Sequence, residues 1–212
     1  GVPFLSFQWD SLLLEMSILG VILCWFNPIP IWVGFLLWIV VFKLFVSSGF
    51  LKLLSGDKHW RSLTALRYYF ETQPLPNRLA WYCHQLPSFI LKLGTIIVLG
   101  VECIVPFFIL FGDGARVVVG CVLILFQCVI FLTGNFGFFN FLVSVLCIGL
   151  FSDGFWLNIV PSEYISFFLV PVSTVDGWQL VLAIFVVLLL IVLNLIQILA
   201  VFMSSFKNFF LL

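Results

Sequence analysis

Three ionisable residues lie inside apolar stretches of this sequence, where charges are uncommon. Glu15, Lys43 and Glu102 each fall within a run long enough to enter a bilayer. A charge near the centre of a membrane helix costs about 2.5–3.5 kcal/mol on insertion scales, which makes each one a candidate for function. At ~1.5 Å rise per residue their depths agree to about one helical turn. The sequence therefore predicts one intramembrane polar cluster. It is either a structural ion pair or triad, or a pocket for a lipid head group, a quinone or a proton.

A second set of candidates lies in a polar stretch, residues 55–88, between two apolar runs. Asp57 is placed to cap a helix, which the pattern predicts over 59–70, and a second short helix is predicted over 79–86. Binding surfaces favour aromatic and arginine side chains. The candidate residues for a client- or partner-binding loop are Trp60, Arg61, Thr64, Tyr68, Tyr69, Glu71, Gln73, Trp81, Tyr82 and His84.

A third set lies at a predicted turn between two apolar runs. Asn135 and Asn140 flank this turn, and Gly134 and Gly137 permit close backbone approach. The pattern favours a tight, hydrogen-bonded connection between helices, placed on the same side of the membrane as the 55–88 loop and able to brace it.

The remaining reactive side chains do not form a recognised catalytic set. Cys83 and His84 are adjacent, and neighbouring side chains diverge, so they do not make a nucleophile–base pair. Glu71 is predicted to anchor Arg61, Arg67 or a backbone amide rather than to act as a general acid. No metal-site spacing, nucleophile elbow, phosphate loop or dinucleotide fingerprint occurs. We predict no catalytic residue, no metal and no cofactor. A non-enzymatic role is favoured, and a bound lipid is left open.

The elements that position these residues follow from composition. Of 212 residues, 64% are hydrophobic and 8% charged, whereas soluble domains carry about 25% charged residues. Apolar runs of bilayer length must be helical, because lipid offers no partner to stray backbone groups. The predicted fold class is an all-α, polytopic transmembrane helix bundle with about six membrane helices, and 55–88 as a re-entrant or interfacial helical loop. The predicted spans are about 11–26, 31–54, 89–111, 115–133, 136–151 and 178–203.

Charge and chain ends limit the possible partners and the organisation of the chain. The formal net charge is zero, so no basic excess exists to hold nucleic acid. Residues 1–212 are interpreted as a single transmembrane domain. Because the sequence begins with Gly1 and has no charged segment before its first apolar run, we expect that this run is not a signal peptide and that the sequence is part of a longer chain.

Five stretches resemble the lipase maturation factor family, in the family's own order. They are FQWDSLLLE (Phe7–Glu15), SSGFLKLLSGDKHWRSLTAL (Ser47–Leu66), YYFETQPLPNRLAWYCHQLP (Tyr68–Pro87), VECIVPF (Val101–Phe107) and TGNFGFFN (Thr133–Asn140). The first two stretches resemble the bacterial members of the family more than the animal members. The family is also distantly similar to the membrane domain of the vitamin K-dependent γ-carboxylase.

The resemblance implies a role and a location. Animal members are endoplasmic reticulum membrane proteins that help certain secreted lipases to fold and assemble, and their long loop is implied to face the lumen. For bacterial members the implied place is the inner membrane, with the loop towards the periplasm. The sequence departs from the family at Tyr69, where a histidine is frequent, and animal members continue into a further domain beyond the position of Leu212.

Charge counting and resemblance disagree on orientation. Basic residues concentrate on the loop side, which the positive-inside rule places in the cytoplasm. We adopt the orientation implied by the family, because basic side chains paired within a folded loop bias insertion less than free ones. The basic residues on this side are Lys52, Lys58, Arg61, Arg67, Arg78, Lys92 and Lys207.

Three functions follow as hypotheses. The first is a membrane-anchored folding factor whose loop holds an exported, lipase-type client. The second is a lipid- or quinone-linked membrane enzyme, and the third is an accessory subunit packed against other membrane subunits. The lipid bilayer is a partner in all three.

Overall fold

The computed structural model describes residues 8–26, 29–73, 77–134, 136–161, 164 and 175–210, and all the regular structure in these ranges is helical. The elements in chain order are α1 (Gln8–Trp25), α2 (Ile31–Leu54), α3 (Lys58–Arg61), α4 (Leu66–Tyr69), α5 (Arg78–His84), α6 (Ser88–Cys103), a 3₁₀ segment (Val105–Phe111), α7 (Asp113–Gly134), α8 (Phe138–Ile148), α9 (Asp153–Ile159) and α10 (Gly177–Phe210).

Four stretches in the described part of the chain are long and apolar enough to cross a bilayer. They are Ile31–Leu54, Ser88–Phe111, Asp113–Gly134 and Gly177–Ala200. The predicted fifth helix is α8, of 11 residues, which meets α9 at a bend of 96°; counting this pair as one span gives five. The first predicted helix is present as α1, with 18 residues that include Asp10 and Glu15. The all-helical membrane fold is therefore confirmed, and the count of six spans stays a prediction.

Prolines set the ends and the irregularities of two of these spans. Pro30 and Pro87 stand at the N-cap positions of α2 and α6, where a missing backbone N–H costs nothing. Pro106 has no N–H to offer to the carbonyl of Glu102, and its ring crowds that turn. The α-helix accordingly ends at Cys103 and continues as the 3₁₀ segment. Glu102 thus lies directly before a change of helical geometry.

Helix α2 is the centre of the bundle. It packs against α6, the 3₁₀ segment, α8 and α10, and Val33, Leu36 and Val41 on it are fully buried. The outward faces of the other spans carry large apolar side chains such as Leu125 and Val181, which are 66% and 68% exposed. Such apolar outward faces are stable in contact with lipid hydrocarbon. Together with the central position of α2, they indicate a helix bundle embedded in a bilayer.

The described residues of the 55–88 loop are folded, but not into the single helix predicted over 59–70. Helices α3 and α4 are one turn each, and Leu63 between them has a left-handed φ of 59°. Leu63 N–H bonds to Trp60 C=O, and Thr64 N–H bonds to His59 C=O. This is the two-bond helix ending that glycine usually provides, and here it stops α3 after one turn.

The loop lies along the first half of α6. Leu66 packs so closely on Gly94 that an added methyl group there would come within 2.7 Å of its Cδ1. Phe70, Ala80 and Leu91 form a small buried cluster between loop and helix. A further hydrogen bond joins Asn77 Nδ2 to the carbonyl of Leu132 in α7, at 2.9 Å. The bundle therefore holds the loop in a defined position.

Candidate functional site

The first buried ion pair joins α1 to α2. Lys43 Nζ donates hydrogen bonds to both carboxylate oxygens of Glu15, at 2.6 and 2.8 Å, and the two side chains are 10% and 12% exposed. Helix α10 adds two amides. Gln197 Oε1 accepts from Lys43 at 3.0 Å, and Asn194 Nδ2 donates to Glu15 Oε1 at 3.1 Å. Three helices thus converge on one neutral group of side chains.

The second buried ion pair joins α2 to α6. Lys52 Nζ donates to the two oxygens of Glu102 at 2.5 and 2.7 Å and to Ser48 Oγ at 2.8 Å. The Glu102 side chain is only 6% exposed, whereas that of Lys52 is 24% exposed. Trp60 lies against the ammonium group, with its ring centroid 5.5 Å from Nζ.

The predicted single cluster is therefore divided. The structure brings Glu15 and Lys43 together. It pairs Glu102 instead with Lys52, which lies further along α2 than Lys43. Similar depth in the membrane did not imply contact, because the rotation of each helix decides which neighbour a side chain faces. The sequence pattern places Lys52 only among the basic residues on the loop side. Its position four residues after Ser48, on one face of α2, is the signal that could have found it.

Close helix packing sets the position of Glu102. Gly49 on α2 lies so near α6 that a methyl group there would come within 2.5 Å of Cys103 Sγ and 3.0 Å of Glu102 Cβ. Small residues allow such approach between membrane helices. The contact places Glu102 beside Ser48 and Lys52, one turn apart on α2.

A cavity of about 300 Å³ opens beside this second pair. Its walls come from α2, α6, α7 and α8, and the loop contributes its inner face. The loop residues in the wall are Trp60, Leu66, Tyr69 and Phe70, and most of the remaining lining is apolar. Neither Glu15 nor Lys43 lines it.

Two buried amide side chains, from α7 and α8, line the cavity, and that of Asn140 is unpaired among the described residues. Asn140 on α8 is 3% exposed, and neither its Nδ2 nor its Oδ1 has a hydrogen-bond partner among the described residues. Gln127 on α7 is 5% exposed and lines the same space. The sequence predicts Asn140 at a tight turn between helices; it lies in the first turn of α8 and also lines the cavity wall. Asn135, its predicted companion, lies outside the described residues.

Tyr69 connects loop, cavity and carboxylate. Burial, and secondarily the negative charge of Glu102, raise the pKa of Tyr69 from 10.0 to about 12. The phenol therefore stays protonated and keeps its donor. It lies over the end of α7, where a methyl group on Gly134 would come within 2.6 Å of its Oη.

The other loop candidates divide between structural contacts and the outer face. Glu71 Oε2 lies 3.7 Å from His84 Nε2, and this carboxylate was predicted to anchor an arginine or a backbone amide. Arg61 Nε donates instead to the carbonyl of Leu53 at 2.8 Å. Thr64 Oγ1 lies 3.1 Å from His59 Nδ1, and Gln73 Nε2 donates to the Tyr69 carbonyl at 3.0 Å.

Three aromatic candidates face outward. Tyr68 is 47% exposed, and Trp81 and Tyr82 are 61% and 64% exposed, with the last two rings 5.1 Å apart. Their neighbour Ala80 is 1% exposed, because α5 turns that face to the bundle. Cys83 is half-buried, and burial raises the pKa of its thiol, which keeps it protonated and weakly nucleophilic.

Asn194 and Gln197 are site residues that sequence reasoning did not single out. They are spaced three apart on α10, in an otherwise apolar stretch, which was the available signal. Asn194 is fully buried. Its Oδ1 has no partner among the described residues, while its Nδ2 bonds to Glu15 and to the Leu190 carbonyl.

Comparison with known proteins agrees with this architecture. The profile of the lipase maturation factor transmembrane domain matches residues 1–158. Human lipase maturation factor 1 is 34% identical over 176 residues, covering 76% of this chain and 30% of the relative. Lipase maturation factor 2 of Xenopus laevis is 38% identical over 165 residues, covering 72% of this chain and 23% of the relative. Human lipase maturation factor 2 is 35% identical over 174 residues, covering 72% and 24%.

This chain is an integral membrane protein with the helical bundle of a maturation-factor membrane domain. It belongs to the lipase maturation factor family. It spans less than a third of the length of the relatives named above. No solved structure matches it.

Proposed function

We propose that this domain is the membrane-anchored part of a maturation factor that assists the folding or assembly of exported, lipase-type proteins. The 55–88 loop is the docking surface, on the side of the membrane where exported proteins fold. This location is the endoplasmic reticulum lumen or the periplasm, according to the kind of cell.

The observation that carries the proposal is the two-sided form of the loop. Its inner face is anchored by Ala80, Phe70 and Leu66 against α6, so the helical parts of the loop that carry these residues have little conformational freedom left to lose. Its outer face presents Trp81 and Tyr82 in the open. A rigid element with exposed aromatic side chains is the arrangement from which binding hot spots are built.

The charges around these rings suit a polypeptide client. Arg67 and Arg78 are exposed on the same segment, and arginine joins tryptophan and tyrosine among the residues enriched in hot spots. A partly folded client offers apolar patches and backbone carbonyls, and aromatic and guanidinium groups can contact both.

The test uses cells that lack the gene, complemented with the full natural chain. We compare the wild type with the double variant Trp81→Ala/Tyr82→Ala and measure the activity of exported lipases. Hot-spot residues that together contribute about 2 kcal/mol or more of binding free energy correspond to a tenfold or larger loss of affinity when they are removed. We therefore expect at least about a tenfold fall in lipase activity. The amount of variant protein in the membrane is measured in parallel and should be unchanged.

The matched control is Phe111→Ala. Phe111 is 73% exposed and lies at the end of the Ser88–Phe111 span remote from the loop, so its loss should leave lipase activity intact. Full lipase activity with the double variant, or in cells without the gene, would overturn the proposal.

A further inference from the structure

We propose that the cavity beneath the loop binds an uncharged amphipathic molecule with a single hydrocarbon tail and a carbonyl- or hydroxyl-bearing head. The client proposal concerns the outer face of the loop, whereas this one concerns the space under its inner face.

The unpaired amide of Asn140 indicates the head. Native structures give buried polar side chains a partner, either protein or ordered water, and Asn140 has none among the described residues although it is 3% exposed. Because an amide offers a donor and an acceptor, it is suited to a hydroxyl or carbonyl. Gln127 on the neighbouring helix supplies a second amide on the same wall.

The electrostatics of the wall favour an uncharged head. Lys52 and Glu102 neutralise each other at 2.5–2.7 Å, so the cavity has no net charge for an ion to balance. A phosphate or carboxylate would have to be desolvated without a free counter-charge, which is costly in such surroundings.

The size and the walls define the tail. At about 300 Å³ the cavity lies at the small end of the range for ligand sites, roughly 300–1,000 Å³. It can hold a head group with one chain or ring, but not the two acyl chains of a bilayer phospholipid. Phe126, Phe139 and Val143 are among the apolar side chains that would contact the tail.

The loop closes this site from above. Trp60 and Tyr69 line the cavity from segment 55–88, so a bound molecule would contact the segment that carries the outer aromatic face. Any molecule that binds the folded state alone raises stability, and occupancy should therefore increase the thermal stability of the full protein.

The experiment uses three photoreactive, clickable probes on the purified full chain in lipid nanodiscs. They are a monoacylglycerol, a prenylated quinone and a fatty acid anion. We expect a neutral probe to label peptides from α7 and α8, with labelling removed by excess unlabelled competitor and with a raised melting temperature. Comparing the labelling by the monoacylglycerol and by the quinone shows which of the two kinds of neutral head group the cavity binds. Labelling by neither, or stronger labelling by the anion, would overturn the proposal.

Two variants of similar size locate the contact. Asn140→Leu should reduce competable labelling about tenfold while keeping the protein folded, since it removes an unpaired buried amide. Thr95→Val is the control: Thr95 is fully buried on α6, and among the described residues its hydroxyl donates within its own helix, to the Leu91 carbonyl, so labelling should not change. If Asn140→Leu does not accumulate in the membrane, Gln127→Leu takes its place. Unchanged labelling in a folded cavity variant would refute the site.

Discussion

The two buried ion pairs found among the described residues are chemically alike but differ in their surroundings. Lys43 and Glu15 are flanked by two amides from α10. The Lys43 ammonium group donates to Glu15 and Gln197, and the Glu15 carboxylate also accepts from Asn194. Lys52 and Glu102 lie beside a cavity, with Ser48 and the ring of Trp60 as their other neighbours. Both pairs bring one carboxylate and one ammonium into the bundle. The cavity of about 300 Å³ borders the second pair, and neither Glu15 nor Lys43 lines it.

This difference leads us to expect a structural role for the first pair and a binding role beside the second. A buried charge without its partner is strongly destabilising, whereas the pair as a whole is often no better than an apolar substitute. We therefore expect the Glu15–Lys43 pair to act mainly in specifying how α1, α2 and α10 pack. The Lys52–Glu102 pair borders a cavity, so we expect that a molecule bound there would contact it.

The largest expected effect comes from removing one lysine of each pair. Lys43→Met should lower the free energy of unfolding by about 3–5 kcal/mol, because Glu15 is left buried without its counter-charge. Lys52→Met should cost about 1–3 kcal/mol, because the neighbouring cavity leaves room for water to enter beside Glu102. Reversible unfolding in mixed detergent–lipid micelles measures both values.

The control for these variants restores neutrality at the first pair. Glu15→Gln/Lys43→Met should recover much of the stability lost in Lys43→Met, since no uncompensated charge remains. Equal losses for the two lysine variants would remove the distinction between a closed and an open pair.

The next effect concerns the packing that holds the open pair. Gly49→Ala should cost about 1–3 kcal/mol, because its methyl group would meet Cys103 Sγ and Glu102 Cβ and force α2 away from α6. Thermal unfolding gives the comparison, with Gly34→Ala as the matched control on the same helix. A methyl group at Gly34 has no atom within 4 Å, and alanine favours a helix by about 1 kcal/mol. Similar melting temperatures for the two variants would contradict the close contact at Gly49.

The smallest effect appears only at high pH and reports on Glu102. The pKa of Tyr69 rises from 10.0 to about 12 on folding, so its contribution to stability is fully present below pH 10 and is lost as the pH approaches 12. Allowing for partial exposure, the loss is about 1–2 kcal/mol. Tyr69→Phe should remove this part of the alkaline loss, as measured by unfolding across that pH range.

Two further variants connect this titration to the comparison. Glu102→Gln should reduce the alkaline loss, since the carboxylate is the second cause of the raised pKa, whereas Glu15→Gln should leave it unchanged. The half-exposed Tyr68 serves as control, and Tyr68→Phe should behave as the wild type does. An alkaline loss that Tyr69→Phe leaves in full would show that this phenol is not its source.

Much of the architecture was predictable because it depends on local sequence. The bounds of α2 were predicted as observed, since Pro30 and the polar residues after Leu54 end the apolar run. The loop caps were partly predictable as well, and Asp57 Oδ1 does accept from the His59 N–H at 2.9 Å. The one-turn length of α3 was not predictable, because Leu63 adopts a left-handed conformation that its side chain disfavours.

Composition and short-range pattern determined that this protein lies in a bilayer, that it is helical, and that charges within its helices must find partners. These conclusions follow from the cost of placing unpaired polar groups in hydrocarbon, which is independent of the fold. Only the tertiary structure decided which lysine meets which carboxylate, that α10 supplies two amides, and that Asn140 faces a cavity roofed by the loop. Those outcomes depend on the rotation and spacing of helices far apart in the chain, and packing sets both.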